Sequence, residues 1–239
     1  MESKDKFTDK EFCLEVWGPI ACFTRPELKV ERMSYDVITP SASRAIFEAI
    51  FWKPAIRWQP TKIEILNPIK RTSIRRNEVG AVASTRTNAI FIEEKRQQKN
   101  TLMLADVRYR LWAKLVFLPQ SKRGTESRNP IIDSEEKEVL RLDENPGKYN
   151  AMFERRASKG QCFKQPYLGT RECSASFRLV DYEHEQLVPT IAENRDLGIM
   201  LYDMDFEHSA VKPDAMFYHA RMENGTIIIP PKNSKEVLK

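Results

Sequence analysis

The spacing of apolar residues predicts a strand and then a helix at the beginning of the chain. Residues 11–23 alternate apolar and polar side chains, which is typical of a strand, and Gly18-Pro19 is expected to break it. After a polar loop, apolar residues recur at the spacing of one buried helix face, with Ser41 as the expected N-cap and Pro54 ending the helix. That face consists of Ala42, Ala45, Ile46, Ala49 and Ile50.

Two further strands are predicted in the middle of the chain. Residues 62–69 alternate and run on into the basic sequence KRTSIRRNEV, whereas residues 80–100 show no sustained period and are expected to contain a loop. The clearest strand covers residues 106–118. Its apolar face consists of Val107, Tyr109, Leu111, Ala113, Leu115 and Phe117, and its opposite face of Arg108, Arg110, Trp112 and Lys114.

A second main helix is predicted from Asn145-Pro146 to Ser158, with Lys159-Gly160 as its stop. A charged segment with a short helical stretch near residues 135–142 precedes it, and a fourth strand at residues 174–180 follows. The order strand, helix, strand, strand, helix, strand predicts an α+β fold of the ferredoxin-like βαββαβ type, which RNA-binding domains of the RRM type share. We expect this domain to cover residues 1–180.

Residues 181–239 are expected to form a second domain, a small antiparallel sheet of three strands. Apolar and polar residues alternate at residues 200–206, and residues 216–222 provide the next strand. The sequence at residues 223–226, ENGT, is a strong hairpin signal, after which residues 227–229 are expected to close the sheet. The tail after Pro230 is expected to fray.

Composition excludes several classes of protein. With 239 residues and 41% hydrophobic content, the chain can bury a sizeable core. It has no apolar run as long as a membrane span, and its first residues lack the apolar segment of a signal peptide, so we expect a cytoplasmic protein with no membrane partner. The four cysteines are too widely spaced for a CxxC ligand pair, and only three histidines accompany them. We therefore expect reduced, buried thiols and no metal or other cofactor.

Charge is unevenly distributed along the chain, whose net charge is +5. Residues 53–76 contain seven basic residues and one acidic residue, and residues 147–171 contain six and one. Residues 181–207 reverse the balance, with eight acidic residues and one basic residue. This distribution favours one face for a polyanion and another kept off it or set against a basic partner, although solvated surface charge clusters in the same way. The cations beside Trp112 suit nucleic acid, but an edge strand with a solvated face has the same pattern.

Five blocks of sequence resemble a known family. They are FTRPELKVERMSYDVITPSASRAIFEAIFWKPAIRW, IRRNEV, NPGKYNAMFERRASKGQCF, YLGTREC and RDLGIMLYDMDFE. With these blocks in order over nearly the whole chain, the sequence resembles the Dvulg-type Cas-five proteins, a subunit of subtype I-C CRISPR Cascade systems. The resemblance implies a RAMP-type, RRM-like domain with a small C-terminal sheet. It also implies an endoribonuclease that cuts precursor CRISPR RNA within the repeat without metal and then holds the 5′ handle in the effector complex.

The implied partners are CRISPR repeat RNA, as precursor and as product, and the other Cascade subunits, with DNA contacted in the effector complex. Cleavage requires the ribose 2′-OH to attack the adjacent phosphate, so the site must help remove that proton, neutralise charge and protonate the departing 5′ oxygen. The resemblance implies a tyrosine at the end of the first helix and a Lys-His pair opening the later one. Lys148 matches the lysine, but Phe51 stands at the tyrosine position and Tyr149 at the histidine position.

We therefore predict Lys148 as the charge stabiliser, Tyr149 as the acid or orienting group and Tyr35 as a reserve catalytic candidate. Phe51 can only pack or stack, because a phenylalanine ring exchanges no proton. The cations expected to grip RNA are Arg44, Lys53, Arg75, Arg76, Arg108, Arg110, Arg155, Arg156 and Arg171. The departures at Phe51 and Tyr149 favour an alternative, a binding subunit without catalysis.

A third hypothesis is a metal-dependent nuclease. An extended strand would place Asp203, Asp205 and Glu207 on one face. Solvent-facing acids paired with Arg221 on the next strand would give the same pattern. The histidines at positions 184, 208 and 219 are far from Lys148 in the sequence, and we expect each to be an ordinary surface or sheet residue.

Overall fold

The computed structural model describes residues 10–28, 30–82, 84–85, 89–118, 145–206 and 212–238, and its fold is α+β with a mainly antiparallel sheet. The strands in these ranges are β1 (Glu11–Ala21), β2 (Ile56–Ile65), β3 (Lys70–Val79), β4 (Arg96–Phe117), β5 (Ser176–Leu179), β6 (Arg195–Asp205), β7 (Asp214–Met222), β8 (Thr226–Ile228) and β9 (Val237–Leu238). The helices are α1 (Pro40–Ile50), α2 (Ile92–Lys95) and α3 (Pro146–Ser158). The short helix expected near residues 135–142 falls outside the described residues.

Six strands form the main sheet, in the order β5-β1-β4-β2-β8, with β3 paired to the first half of β4. Every pairing in this sheet is antiparallel among the strands described. The central strand β4 is 22 residues long, and it pairs with β3 through residues 96–105 and with β2 through residues 109–117. The strand predicted at residues 106–118 is therefore the second half of a longer strand. Its first half was not recognised because residues 96–100 are polar and mostly exposed, although Thr101, Met103 and Leu104 after them are buried.

Other strand boundaries also differ from the prediction. β1 continues through Gly18-Pro19, because Gly18 and Ile20 both keep their partners in β4. A side chain at Gly18 would be excluded, since a Cβ there would lie 2.6 Å from Leu168 Cδ1 and 2.9 Å from the Ser174 carbonyl oxygen. β2 begins six residues earlier than expected and ends at Ile65, so KRTSIRRNEV forms the separate strand β3.

The two main helices have clear local starts and stops. α3 is confirmed: the Asn145 side chain accepts a hydrogen bond from the Gly147 N–H at 2.8 Å, and Gly160 has a φ of 63° just after its end. The predicted cap of α1 was wrong by two residues. Thr39 is the N-cap and accepts from the Ala42 N–H at 3.3 Å, because Pro40 fits the first helical position, where its missing N–H costs nothing.

An aromatic cluster joins both helices to one face of the main sheet. The ring centroids of Phe47 in α1 and Phe153 in α3 are 5.8 Å apart, and Trp58 of β2 lies 4.9 Å from the first and 4.5 Å from the second. Phe12 of β1 lies 4.7 Å from Phe153. All four rings are buried. The cluster thereby fixes α1 and α3 beside each other, which positions the site described below.

The C-terminal residues form a three-stranded sheet in the order β6-β7-β9. The predicted turn is confirmed, because Asn224 and Gly225 have φ values of 47° and 69°, as a tight hairpin turn requires. The strand after that turn was assigned wrongly. β8 leaves β7 and pairs with β2 in the main sheet, and β9, from the tail expected to fray, takes the third place.

One buried cluster runs through both sheets. It includes Met200 and Tyr218 of the smaller sheet together with the main-sheet residues, and Ile227 of β8 is fully buried within it. The domain boundary at residue 180 stays a prediction. All four cysteines are free thiols, three of them buried. Among the described residues, no helix is both long and apolar enough to cross a membrane.

Candidate active site

The end of α1 and the first turn of α3 meet at Phe51 and Tyr149. Their ring centroids are 6.2 Å apart, and Phe117 at the end of β4 lies 6.2 Å from Tyr149 on another side. Tyr149 is 8% exposed, whereas its neighbour Lys148 is exposed. The structure thus brings together the three positions that the sequence singled out, although they come from distant parts of the chain.

The start of α3 explains why Lys148 and Tyr149 differ in exposure. Consecutive helix residues point about 100° apart around the axis. Tyr149 shares the buried face with Phe153 and Ala157, so its ring packs toward the sheet. Lys148 is on the next position around the helix and is exposed. The pair therefore offers an exposed cation beside a phenol whose ring is held in place.

Phe51 is part of the core and not of an open surface. Its ring is 0% exposed, and its carbonyl oxygen accepts a hydrogen bond from Trp58 Nε1 at 2.8 Å. The Arg156 guanidinium lies 5.2 Å from the Phe51 ring centroid, and Arg156 Nη1 donates to the Ile50 carbonyl oxygen at 3.4 Å. The predicted stacking role for Phe51 is corrected, because a fully buried ring leaves no face for a base. Arg156 supports the end of α1 from within.

Several predicted RNA-binding cations do lie on the surface. Lys53, two residues after Phe51, is exposed, and Arg155, in the last turn of α3, is exposed in a separate groove that Lys10, Glu154 and Tyr182 also line. Arg171 is exposed in the loop before β5. Lys53 follows the end of α1 and Lys148 lies in the first turn of α3, so the meeting point of the two helices carries two exposed cations.

Arg75 and Arg76 belong to a different part of the molecule. They lie on β3 and pair in register with Asn100 and Lys99 in the first half of β4, whereas the Tyr149 contact is at the opposite end of β4. Arg75 is exposed, and Arg76 forms ion pairs with Glu78 at 2.7 Å and Glu172 at 2.9 Å. Any RNA contact of these residues is separate from the candidate active site.

Arg44 is held by two carboxylates. Its Nε and Nη2 donate to the two oxygens of Asp203 at 2.8 and 2.9 Å, and its Nη1 donates to Glu48 at 2.6 Å. Burial alone would lower the pKa of Arg44, but Glu48 and Asp203 more than offset it and raise the pKa above its ordinary value. Arg44 therefore ties α1 to β6, and the geometry favours this structural role over the predicted RNA contact.

The polar face of β4 is covered at Arg110 and Trp112. Arg110 is 4% exposed, and its guanidinium donates to Glu64 Oε2 and to the Val188 carbonyl oxygen, both at 2.6 Å. Trp112 also donates to Glu64, at 3.1 Å, and packs against Tyr182 with centroids 4.8 Å apart. The expectation that Arg110 and Trp112 meet RNA is corrected, because the segment after β5 lies over them.

Arg108, on the same face, remains partly exposed beyond the covering segment. Its Nε donates to Glu15 Oε1 at 2.7 Å, and Arg178 donates to the other oxygen of this buried carboxylate at 2.8 Å. The guanidinium of Arg108 is therefore neutralised within the protein, which weakens its attraction for a phosphate.

Tyr35 is a core residue. It is buried, its hydroxyl accepts a hydrogen bond from the Leu201 N–H at 3.2 Å, and the Arg25 guanidinium lies 4.5 Å from its ring centroid. Burial raises the pKa of Tyr35 above its ordinary value. The hydroxyl thus links this segment to β6. The prediction of Tyr35 as a reserve catalytic candidate is corrected, because a buried hydroxyl cannot reach RNA.

Comparison with known proteins places these observations in a family. A family model described as CRISPR-associated protein (Cas_Cas5) matches residues 12–230. The chain belongs to this family. It is 44% identical over 239 residues to a protein of Mannheimia succiniciproducens named "CRISPR pre-crRNA endoribonuclease Cas5d", with 94% of this chain and 96% of the relative covered. A Thermus thermophilus protein of the same name is 37% identical over 242 residues, covering 95% and 94%.

A solved structure has the same fold. It is described as "Crystal Structure of CRISPR-associated Protein" and matches with a TM-score of 0.66 at 24% sequence identity, covering 97% of each chain. At this identity the likeness concerns the fold alone.

The histidines of the described residues lie elsewhere. His184 is exposed and contacts Asp181 at 2.9 Å, and its hydrogen bond to this carboxylate raises its pKa. His219 on β7 contacts Asp196 at 2.7 Å and is also exposed. Both are surface residues, as expected, whereas His208 falls outside the described residues.

The acids proposed for a metal-dependent nuclease are engaged in other contacts. Both oxygens of Asp203 accept from Arg44, and Oδ1 also accepts from the Met204 N–H at 2.9 Å. Asp205 is buried, with Lys232 at 3.6 Å, and the partner in register with Arg221 is Asp196 and not one of these acids. Within the described ranges, no group of three metal-ligating side chains is present; Glu207 is outside them.

Proposed function

We propose that this protein is an endoribonuclease that cleaves precursor CRISPR RNA within the repeat, without a metal ion. The observation that carries the proposal is the match over nearly the whole chain to two relatives named as pre-crRNA endoribonucleases. The meeting of Phe51, Lys148 and Tyr149 at the junction of α1 and α3 supports it, because a cut of this kind needs a cation and a proton donor together. After cleavage the protein holds the 5′ handle within the Cascade effector complex.

In this proposal the ribose 2′-OH attacks the adjacent phosphorus, and the P–O5′ bond breaks. The products are a 2′,3′-cyclic phosphate and a free 5′-OH. The ammonium group of Lys148 neutralises charge that develops on the phosphate oxygens. The Tyr149 hydroxyl donates a proton to the departing 5′ oxygen, a role that suits a phenol because phenols are protonated at neutral pH. The 2′-OH loses its proton to a base as the new P–O2′ bond forms.

We also propose that the first part of the chain is a ferredoxin-like domain. Its six elements would be β1, α1, β2, β4, α3 and β5, with β3 as an addition to β4. The strand order β5-β1-β4-β2 and the antiparallel pairings support this proposal. In the same proposal, residues 181–239 form a smaller C-terminal unit, and β8 of this unit pairs with β2 in the main sheet.

One observation favours a second function, an RNA-binding Cascade subunit without catalysis. Phe51 has no hydroxyl at the position where the resemblance implies a tyrosine. Its side chain is also fully buried, so it cannot contact RNA at the surface. In that case Lys148 would bind phosphate at the start of α3 and catalyse nothing.

Incubating the purified protein with its repeat RNA in EDTA separates these functions. The proposal expects a shortened RNA that ends in a 2′,3′-cyclic phosphate. An intact RNA that nevertheless binds the protein would favour the non-catalytic subunit, and cleavage that appears only without EDTA would revive the metal-dependent hypothesis.

A further inference from the structure

A surface of exposed aromatic and basic residues lies directly beside the candidate active site. It consists of Trp52, Lys53, Phe163 and Lys164, and we call it the Trp52–Phe163 surface. We propose that this surface binds unpaired nucleotides of RNA by stacking their bases on Trp52 and Phe163. The proposal rests on the proposed function, since it supplies the part of the RNA-binding site that grips single-stranded RNA next to the cut.

The backbone fixes the two aromatic residues near each other. The N–H groups of Phe163 and Lys164 both donate to the carbonyl oxygen of Ala49, at 2.8 and 3.0 Å. Ala49 is in the last turn of α1, three residues before Trp52. The last carbonyls of a helix lack partners within the helix, so the loop after α3 satisfies one of them and is pinned there. Phe163 is therefore held by its backbone, while its ring remains available.

Exposure sets these rings apart from the aromatic residues around them. Trp52 is 52% exposed and Phe163 is 75% exposed, whereas Phe51, next in sequence to Trp52, is 0% exposed. Exposed rings on a fixed backbone contribute little to the core, so stability does not account for them. Such rings form stacking platforms for single-stranded nucleic acid, because every base offers a flat face.

The charge around the rings selects a polyanion as the occupant. The Lys164 ammonium lies 6.0 Å from the Phe163 ring centroid, and Lys53 is adjacent to Trp52. Lys159, which ends α3 four residues before Phe163, adds exposed positive charge. Glu48, the acid next to Ala49 in α1, is already paired with Arg44 at 2.6 Å. Lysine is depleted in protein–protein interfaces, whereas lysine beside an aromatic ring is typical of single-strand nucleic-acid sites.

The position of this surface gives it a role in the reaction. Trp52 is the residue after Phe51, whose ring centroid is 6.2 Å from that of Tyr149, so the backbone of this surface adjoins the residues of the candidate active site. Attack by a 2′-OH in line with the P–O5′ bond requires a nucleotide that has left A-form stacking. Stacking on the protein would hold the strand in such an unpaired conformation.

Alanine substitutions at Trp52 and Phe163 test this inference by fluorescence anisotropy with two RNA probes. One probe is a single-stranded uridine oligonucleotide, and the other is a blunt duplex of the repeat stem. We expect Trp52→Ala and Phe163→Ala each to weaken binding of the single strand about fivefold to hundredfold, and to change duplex binding less than about twofold. Trp52→Phe and Phe163→Tyr keep a ring and should retain most of the affinity.

The matched control is Phe206→Ala, since Phe206, the residue after β6, is 53% exposed and outside the surface. This variant should bind both probes as the wild type does. Equal weakening of both probes in the Trp52 and Phe163 variants would overturn the inference, because it would indicate loss of general phosphate contacts. Unchanged RNA affinity would also overturn it, and weakened binding to other Cascade subunits would then assign the surface to a protein interface.

The outcome is separable from that of the proposed function. A wild-type protein that binds the single strand through these rings but never cuts repeat RNA supports the stacking site and defeats the nuclease. A wild-type protein that cuts, with alanine variants that bind and cut equally well, supports the nuclease and defeats the stacking site.

Discussion

The ring of Phe51 lies 6.2 Å from the ring of Tyr149, measured between centroids, where the end of α1 meets the first turn of α3. These are the two positions at which the chain departs from the tyrosine and histidine that its family resemblance implies. Because they are neighbours in space, the phenol missing from one helix is present on the other. We infer that the pair still presents one phenol to the site, now carried by α3 beside Lys148.

Lys148→Ala is expected to remove cleavage and leave most RNA affinity. Loss of one group that stabilises transition-state charge costs roughly a hundredfold to a thousandfold in rate. One lysine among several contributes little to total binding, so affinity should fall less than about tenfold. Single-turnover cleavage and anisotropy with the same repeat RNA measure the two effects. Lys235→Ala, an exposed lysine in the tail, is the matched control; parallel loss of rate and affinity in Lys148→Ala would contradict the catalytic role.

Local signals made the two main helices, α1 and α3, predictable. α3 follows from Asn145-Pro146 at its start and Gly160 after its end, and all of these act within one turn of the helix. The pairing of β8 with β2 had no such signal. Residues 226–228 follow a hairpin turn and are therefore expected to pair with β7. They pair with β2 instead, where Ile227 is fully buried, and that burial depends on residues distant in the sequence.

The sequence predicted which residues belong to the candidate site, but it did not predict which of them are exposed. Lys148 and Tyr149 followed from the family resemblance, and the structure brings them to Phe51. Burial of Tyr35, Phe51 and Arg110 depends on segments distant in the sequence, such as the polar segment over β4, which has no periodic pattern. Trp52 and Phe163 were missed because a sequence pattern assigns aromatic residues to the core, and only the structure shows that these two rings are exposed. Each is followed by a lysine, and that pairing is the signal that was available.

Tyr149→Phe should distinguish the role of the Tyr149 hydroxyl from that of its ring. The ring still packs against Phe51 and Phe117, so we expect a change below about 1 kcal/mol in the free energy of unfolding. Loss of a proton donor should lower the cleavage rate roughly a hundredfold. Urea unfolding and single-turnover kinetics provide the two measurements. A normal cleavage rate in a stable variant would exclude Tyr149 as the acid.

Phe51→Ala should destabilise the fold, whereas Trp52→Ala should not. The Phe51 ring is fully buried, and truncating such a ring costs about 3 to 5 kcal/mol through lost burial and the cavity that remains. Trp52 is half exposed, so its truncation should cost less than about 1 kcal/mol. Urea unfolding of the two variants makes the comparison between adjacent residues. Similar losses in both would show that Trp52 packs more tightly than its exposure indicates.

The Arg44–Asp203 contact should act as a structural tie between α1 and β6. Both side chains are about one-fifth exposed, so solvent screens part of the interaction. We expect Arg44→Ala and Asp203→Ala each to lower the free energy of unfolding by about 1 to 3 kcal/mol, with a coupling of about 1 kcal/mol in the double mutant. RNA affinity measured by anisotropy should stay within about threefold. A large loss of RNA affinity without loss of stability would restore the predicted RNA-binding role of Arg44.

The buried pair of Glu64 and Arg110 should make stability depend on pH in the acid range. Burial by itself would raise the pKa of Glu64, but the hydrogen bonds from Arg110, Lys62 and Trp112 outweigh it and hold the pKa below the ordinary value of 4.5. A carboxyl group with a lowered pKa in the folded state stabilises the fold above its ordinary pKa, and this stabilisation is lost as pH falls through the lowered value.

Glu64→Gln should therefore lower the free energy of unfolding by about 3 to 5 kcal/mol at neutral pH, because Arg110 is left buried with a weaker partner. The gap in unfolding free energy between wild type and variant should narrow as pH falls below 4.5, since only the wild type has a carboxylate to protonate at this position. Urea titrations from neutral pH into this range measure the gap. Glu183→Gln, at an exposed site, is the control and should show no gap. A gap for Glu64→Gln that stays constant with pH would mean that the carboxylate charge is not what holds Arg110.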